Sequence, residues 1–182
     1  MRPSPNPKVL EALHAADAII YSIGSLYTSL IPSLILPGVG AAIARPEGPR
    51  SKILLLNGSL DRETGGFAAA DFLDAITAAC TESHSHSHST SAAASHPSFD
   101  SGGCNRHDWT RYITHVIHLE GEGAPGVDKA ELAARGVECV RLYGRRGDDG
   151  VGRYDGKALA QALGAILGRR GGGRSRRNTF EG

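Results

Sequence analysis

The sequence predicts an α/β fold, a Rossmann-like three-layer architecture built around a mainly parallel sheet. Short apolar runs alternate with segments of helical periodicity along the 182 residues. The 24 glycines and an aromatic content of only 5% are typical of Gly-rich turns that join strands to Ala-rich helices. A hydrophobic content of 40% suffices for one core of ordinary size. Strands that alternate with helices need crossover connections, which favour parallel pairing.

The first half of the chain contains two predicted strands among several helices. Asn6 before Pro7 is a suitable cap for a first helix, and Gly24 ends a short apolar run of the kind found in buried parallel strands. Prolines and glycines break the apolar stretch that follows into short helices. The predicted elements are a helix over 7–16, a strand over 18–23, short helices over 30–36 and 39–44, a strand over 52–56 and a helix over 67–80.

The second half begins with a change of composition. Residues 81–108 are rich in Ser, His, Ala and Gly, which predicts a disordered insertion that builds no core. We interpret its alternating histidines as low complexity rather than as a metal site, and His115 and His118 as structural. The elements expected after it are strands over 112–119 and 137–142 and helices over 128–135 and 157–167. The predicted organisation is therefore a ligand-loop half (1–80), the insertion (81–108), a strand-helix-strand-helix segment of the same domain (109–168) and a flexible basic tail (169–182).

Charge and cysteine content limit the classes of partner. The formal net charge is +1, so no overall field selects nucleic acid or an anionic membrane, and the arginine-rich tail lacks the interleaved aromatics that stack on bases. No apolar run is long enough for a membrane span or a signal peptide. Three widely spaced cysteines without a CxxC pair indicate reduced thiols. These observations favour a cytoplasmic protein with a small-molecule partner.

A turn rich in hydroxyl groups follows the first predicted strand. Gly24 is followed by Ser25, Thr28 and Ser29 where a strand passes into a helix, and free backbone N–H groups at such a turn attract anions. The segment is a candidate phosphate cradle. The alternative is that Ser25 caps the helix and the other hydroxyls bond locally.

A polar loop over 57–66 follows the second predicted strand. It presents an amide, two acids, an arginine and two hydroxyls, a composition that suits a polar ligand in the crevice at the strand ends. The alternative is a solvated Gly-rich loop whose Asp and Thr cap the next helix.

Together these motifs resemble the CofD-like family. The resemblance rests on two motifs: GSLYTS-x-x-P-x-L-x-x-P-G and, after the next strand, N-x-x-x-x-x-E-T-G-x-F-x-x-x-D. The family includes 2-phospho-L-lactate transferases and YvcK-type gluconeogenesis factors. The sequence of these motifs looks most like that of the family's fungal and plant branch. The resemblance is strong over 7–80 and one of pattern only over 112–167. It implies a small phosphorylated or nucleotide-activated ligand and Mg²⁺ as the candidate cofactor. The ligand contacts it implies are Gly24, Ser25, Tyr27, Thr28, Ser29, Asn57, Glu63, Thr64 and Asp71.

The resemblance also implies a further part of the sheet. Family members begin with a strand, a Gly-rich turn and an acidic segment that have no counterpart before residue 18, so we expect the C-terminal part of a CofD-like protein, incomplete on the N-terminal side and inactive by itself. An uncovered first strand would recruit other chains, which makes a homo-oligomer a further expectation. Two functions follow from the resemblance: a phospho-lactate transferase type of enzyme, or a non-catalytic regulator that binds nucleotide sugars.

Overall fold

The computed structural model describes residues 3–85 and 108–168. Four parallel strands form one sheet in the order β1-β2-β3-β4, and a two-stranded antiparallel hairpin, β5-β6, follows it. The α/β fold class with a parallel sheet is therefore confirmed. The strands are β1 (Ala18–Tyr21), β2 (Ser51–Leu55), β3 (His115–Leu119), β4 (Glu138–Leu142), β5 (Gly144–Arg146) and β6 (Gly152–Tyr154). The helices are α1 (Pro7–Ala15), α2 (Ile31–Leu34), α3 (Val39–Ile43), α4 (Ala69–Ser85), α5 (Lys129–Ala134) and α6 (Gly156–Gly168).

The three layers follow from the two apolar faces of the central strands. All five residues of β2 and all five of β3 are buried, as expected for parallel strands covered on both faces, and the buried set includes the polar residues Ser51, Lys52, His115 and His118. Leu54 and Val116 pack on one face with residues of α3 and α4, whereas Ile53 and Ile117 pack on the other face with Ile166 of α6. No helix in the described ranges has the length and apolarity that crossing a membrane requires.

The third strand is shorter than the sequence predicts. Trp109–Arg111 forms a 3₁₀ turn, and β3 begins only at His115. The cause is Trp109, which is fully buried and donates from Nε1 to Asp74 Oδ1 at 2.8 Å. This anchor holds the chain in a turn before the strand.

The insertion begins later than the expected boundary at residue 81. Helix α4 continues to Ser85, and Ser83 is completely buried, so the start of the predicted core-free segment belongs to the core. The last turn of α4 is held in place because the Ser83 hydroxyl makes hydrogen bonds to Leu36 and Gly40. The remainder of the expected insertion, 86–107, and the basic tail, 169–182, lie outside the described residues.

Candidate functional site

The carboxyl ends of the four parallel strands meet at one edge of the sheet, where ligands bind in open α/β folds. The loops after β2 and β3 are joined there, because Leu60 N–H donates to Gly123 O at 2.7 Å. The hairpin reaches the same edge: the Tyr154 hydroxyl lies 2.7 Å from Leu56 O and 2.9 Å from Ile117 O. This edge is the candidate site.

The hydroxyl-rich turn after β1 forms a single π-helical turn, Leu26–Leu30. The carbonyl of Ser25 accepts from Ser29 N at 3.0 Å and from Leu30 N at 3.2 Å, whereas its hydroxyl makes no cap bond to the helix. A Cβ on Gly24 would lie 2.8 Å from Ser29 Cβ, so the turn requires glycine at this position. The Ser25 hydroxyl is thus left for contacts outside the turn, and isolated π turns are frequent at functional sites.

The loop after β2 supplies those contacts. The Ser25 hydroxyl donates to Glu63 Oε2 at 3.4 Å, across 38 residues of sequence. Asp61 Oδ1 accepts from Glu63 N at 3.0 Å, Thr64 N at 2.9 Å and Thr64 Oγ1 at 2.7 Å. The Thr64 hydroxyl, followed by the Ser25 hydroxyl and the two N–H donors, holds the pKa of Asp61 below its ordinary value. Asp61 is therefore an ionised carboxylate beside the hydroxyl turn.

We name this concavity, of about 320 Å³, the acidic pocket. Its lining consists of Ser25, Thr28, Asp61, Arg62 and Glu63. Two carboxylates face one guanidinium, so the local charge is negative. Such a lining accepts hydrogen bonds from ligand hydroxyls, and a bare phosphate would meet repulsion unless a cation screened the carboxylates.

The sequence-predicted contacts divide between this pocket and its framework. Ser25, Thr28 and Glu63 line the pocket, and Gly24 and Ser29 shape the turn. Tyr27 is exposed and packs edge-on against Phe67, with 6.3 Å between the ring centroids.

The remaining three predicted contacts lie outside the lining. Thr64 is 2% exposed and organises the loop through Asp61, and Asn57 is half-buried at the end of β2. Asp71 Oδ2 accepts from Ala68 N at 2.8 Å, which satisfies an N–H group at the start of α4.

The 120–126 loop is, with 24–29 and 57–66, one of the three strand ends at which the sequence places a ligand, but the concavity that it forms with the hairpin, which we name the arginine cleft, was not predicted. It measures about 350 Å³, and its lining consists of Gly58, Leu119, Glu120, Gly121, Glu122, Gly144, Arg145, Arg146, Gly150 and Gly152. The available signal was the pair of Gly-rich segments directly after two predicted strands. Asp61 and Arg62 of the acidic pocket were seen only as members of a polar loop.

Comparison with known proteins connects the chain to one family. The family model described as 2-phospho-L-lactate transferase CofD matches residues 1–141. A gluconeogenesis factor of Bacillus subtilis is 34% identical over 164 residues, which cover 90% of this chain and 47% of the relative. An uncharacterized protein of Saccharomyces cerevisiae is 27% identical over 142 residues, which cover 78% of this chain and 30% of the relative.

A crystal structure from Bacillus halodurans, of a member of the UPF0052 family, superposes with a TM-score of 0.63 at 25% identity. The match covers 88% of this chain and 47% of that one. The chain thus spans less than half the length of these three relatives. Because the family model covers more than three quarters of the sequence and the predicted motifs lie within the matched range, the chain belongs to the CofD family.

Proposed function

We propose that this chain binds a small phosphorylated ligand that also carries free hydroxyl groups, such as a nucleotide sugar, and acts as a binding protein of the gluconeogenesis-factor type. The observation that carries the proposal is the acidic pocket at the carboxyl edge of the sheet. Ionised carboxylates are strong acceptors for the hydroxyls of a sugar, and Ser25 and Thr28 can both donate and accept. The relatives named gluconeogenesis factor support the class of protein.

Mg²⁺ is part of the proposal as a ligand-dependent cofactor. Mg²⁺ is usually held by one or two carboxylates together with substrate phosphates, and Asp61 and Glu63 supply two. Within the described ranges no group of three or more acidic, His or Cys side chains could hold a metal. Asp61 and Glu63 would therefore hold such an ion only together with oxygen atoms of the ligand.

Binding is better supported than group transfer. Transfer of a phosphoryl group to an acceptor hydroxyl forms a P–O bond, breaks the P–O bond to the leaving nucleotide and requires a base for the released proton. The lowered pKa of Asp61 makes it a weak base, and its Oδ1 is already used by the loop. The transferase remains a second candidate because of the description of the matching family model.

Calorimetric titration of the 182-residue chain with a uridine-diphosphate sugar, with and without Mg²⁺, tests the proposal. Glu63→Gln keeps the shape of the side chain and removes a charged acceptor, which should weaken binding by about tenfold or more. Glu47→Gln makes the same change at an exposed loop outside the pocket and should bind like the wild type. A flat titration of the wild type, or equal affinity of both variants, contradicts the proposal.

The transferase candidate has its own test. The chain would be incubated with a nucleotide-activated phospho-acid, a deazaflavin acceptor and Mg²⁺, and the release of nucleotide would be measured. Turnover that Glu63→Gln reduces would establish transfer at this pocket. Saturable binding without turnover would leave the binding function alone.

A further inference from the structure

We propose that the arginine cleft is a second subsite, which binds the phosphate groups of the ligand. The inference rests on the proposed function only for the class of ligand. It assigns the two ends of that ligand to different places: hydroxyls to the acidic pocket and phosphates to the cleft.

The hairpin closes the cleft through a backbone contact that only glycine allows. A Cβ on Gly58 would overlap the carbonyl of Gly152, and a Cβ on Gly144 would lie 2.9 Å from Leu119 Cδ2. These glycines let the hairpin seat against the ends of β2 and β3. The seated hairpin therefore forms one wall of the cleft.

The two arginines of β5 have different partners. Arg146 Nη2 lies 3.0 Å from Glu122 Oε2, and Arg145 Nη2 lies 3.5 Å from Asp155 Oδ2. The two guanidinium side chains are 85% and 60% exposed, for Arg145 and Arg146 respectively. Exposed ion pairs contribute little to stability, whereas a single guanidinium group binds phosphate oxygens in bidentate geometry. Consecutive strand residues point to opposite faces, so Arg146, whose partner Glu122 lines the cleft, is the guanidinium placed to reach a bound phosphate, and Arg145 adds positive charge beside it.

The loop after β3 adds backbone donors. Among the described residues, the N–H groups of Gly121, Glu122 and Gly123 have no hydrogen-bond acceptor. Gly123 has a φ of 80°, so the loop includes a left-handed residue. Successive N–H groups in such loops form concavities that bind anions. The loop and the hairpin therefore present donors from two sides.

The charge balance separates the cleft from the acidic pocket. Glu120 is bound by Arg141 at 2.6 Å and by Lys129 at 3.7 Å, so its carboxylate is already neutralised. The lining and its ion-pair partners hold four cations, Lys129, Arg141, Arg145 and Arg146, against three carboxylates, Glu120, Glu122 and Asp155. The acidic pocket has the opposite balance. A phosphate therefore gains more in the cleft than in the acidic pocket.

Inorganic pyrophosphate is the probe for this subsite, because it has no sugar hydroxyls for the acidic pocket. Calorimetry with the 182-residue chain at constant ionic strength would compare the wild type with the Arg145→Gln/Arg146→Gln double variant. The control is Lys8→Gln/Arg50→Gln, which removes the same charge from two exposed positions outside the cleft. We expect saturable binding by the wild type and the control, and affinity at least tenfold weaker in the cleft variant.

A wild type without saturable pyrophosphate binding would overturn the inference, as would equal weakening in the cleft variant and the control. The arginine side chains are exposed, so their replacement leaves the core unchanged, and a matching melting temperature verifies folding. Arg145→Lys/Arg146→Lys keeps the charge and should restore part of the affinity. If the wild type binds pyrophosphate but does not bind the nucleotide sugar, the result contradicts the proposed function and not the phosphate subsite.

Discussion

Replacement of Ser83 in α4 by alanine should destabilise the fold, because the Ser83 side chain caps the start of α3. Helix α3 begins at Val39, and Gly38 before it has no side chain to cap the free N–H groups. The Ser83 hydroxyl accepts from Gly40 N at 2.9 Å and donates to Leu36 O at 2.5 Å. Ser83→Ala removes both bonds at a completely buried position.

The expected loss of stability follows from these two bonds. A buried donor left without a partner costs about 1–3 kcal/mol, and loss of a helix cap costs about 1 kcal/mol. Both figures describe the loss of the acceptor for Gly40 N–H, so they are not added. We therefore expect a decrease of about 1–3 kcal/mol in the free energy of unfolding. For a domain of this size, that lowers the melting temperature by roughly 3–10 °C.

Differential scanning calorimetry of the wild type, Ser83→Ala and Ser33→Ala measures this effect. Ser33 is exposed, and its hydroxyl makes a 3.4 Å bond to Ser29 O, so its replacement should change stability by less than about 0.5 kcal/mol. A Ser83→Ala melting temperature within about 1 °C of the wild type would refute the reasoning, because both buried groups would then have found other partners.

Three further predictions follow from the same structure. Deletion of 86–101 should leave the melting temperature unchanged because that Ser/His/Ala tract has little apolar surface to bury, whereas deletion of 83–101 should lower it by removing the cap. Thr28→Val should weaken ligand binding about twofold to tenfold in calorimetry without a change in thermal stability, because this exposed hydroxyl lines the acidic pocket; a lower melting temperature with unchanged affinity would show a structural role. Burial lowers the pKa of His118 in the folded chain. The unfolded chain therefore takes up a proton near pH 6.5 before the folded chain does, so the free energy of unfolding should fall as the pH drops below 6.5. Chemical denaturation between pH 5 and pH 8 should show that His118→Leu removes this dependence and His14→Leu, at an exposed position, does not.

The strands and most helices could be predicted from the sequence because local patterns determine them. β2 and β3 are buried on both faces, so most of their residues are apolar, in contrast to the polar turns at their ends. The cap of α1 was equally local, since Asn6 Oδ1 accepts from Lys8 N two residues away. The carboxyl edge of the sheet as the place of the site followed from parallel topology alone.

The tertiary structure decided what the candidate residues do. Ser25 and Asp71 both looked like ligand contacts, yet Asp71 bonds to the start of α4, and the Ser25 hydroxyl meets Glu63 across the edge of the sheet. The 120–126 loop was expected at the ligand edge, but the hairpin that completes the cleft was not predicted, because β5 and β6 are three-residue strands with no apolar pattern and depend on Tyr154 for their position. Ser83 likewise caps a helix 43 residues away. A local sequence pattern indicates which residues are apolar and which turns are tight. It does not determine the partner of a buried polar group, because that group loses its water only when distant segments pack against it.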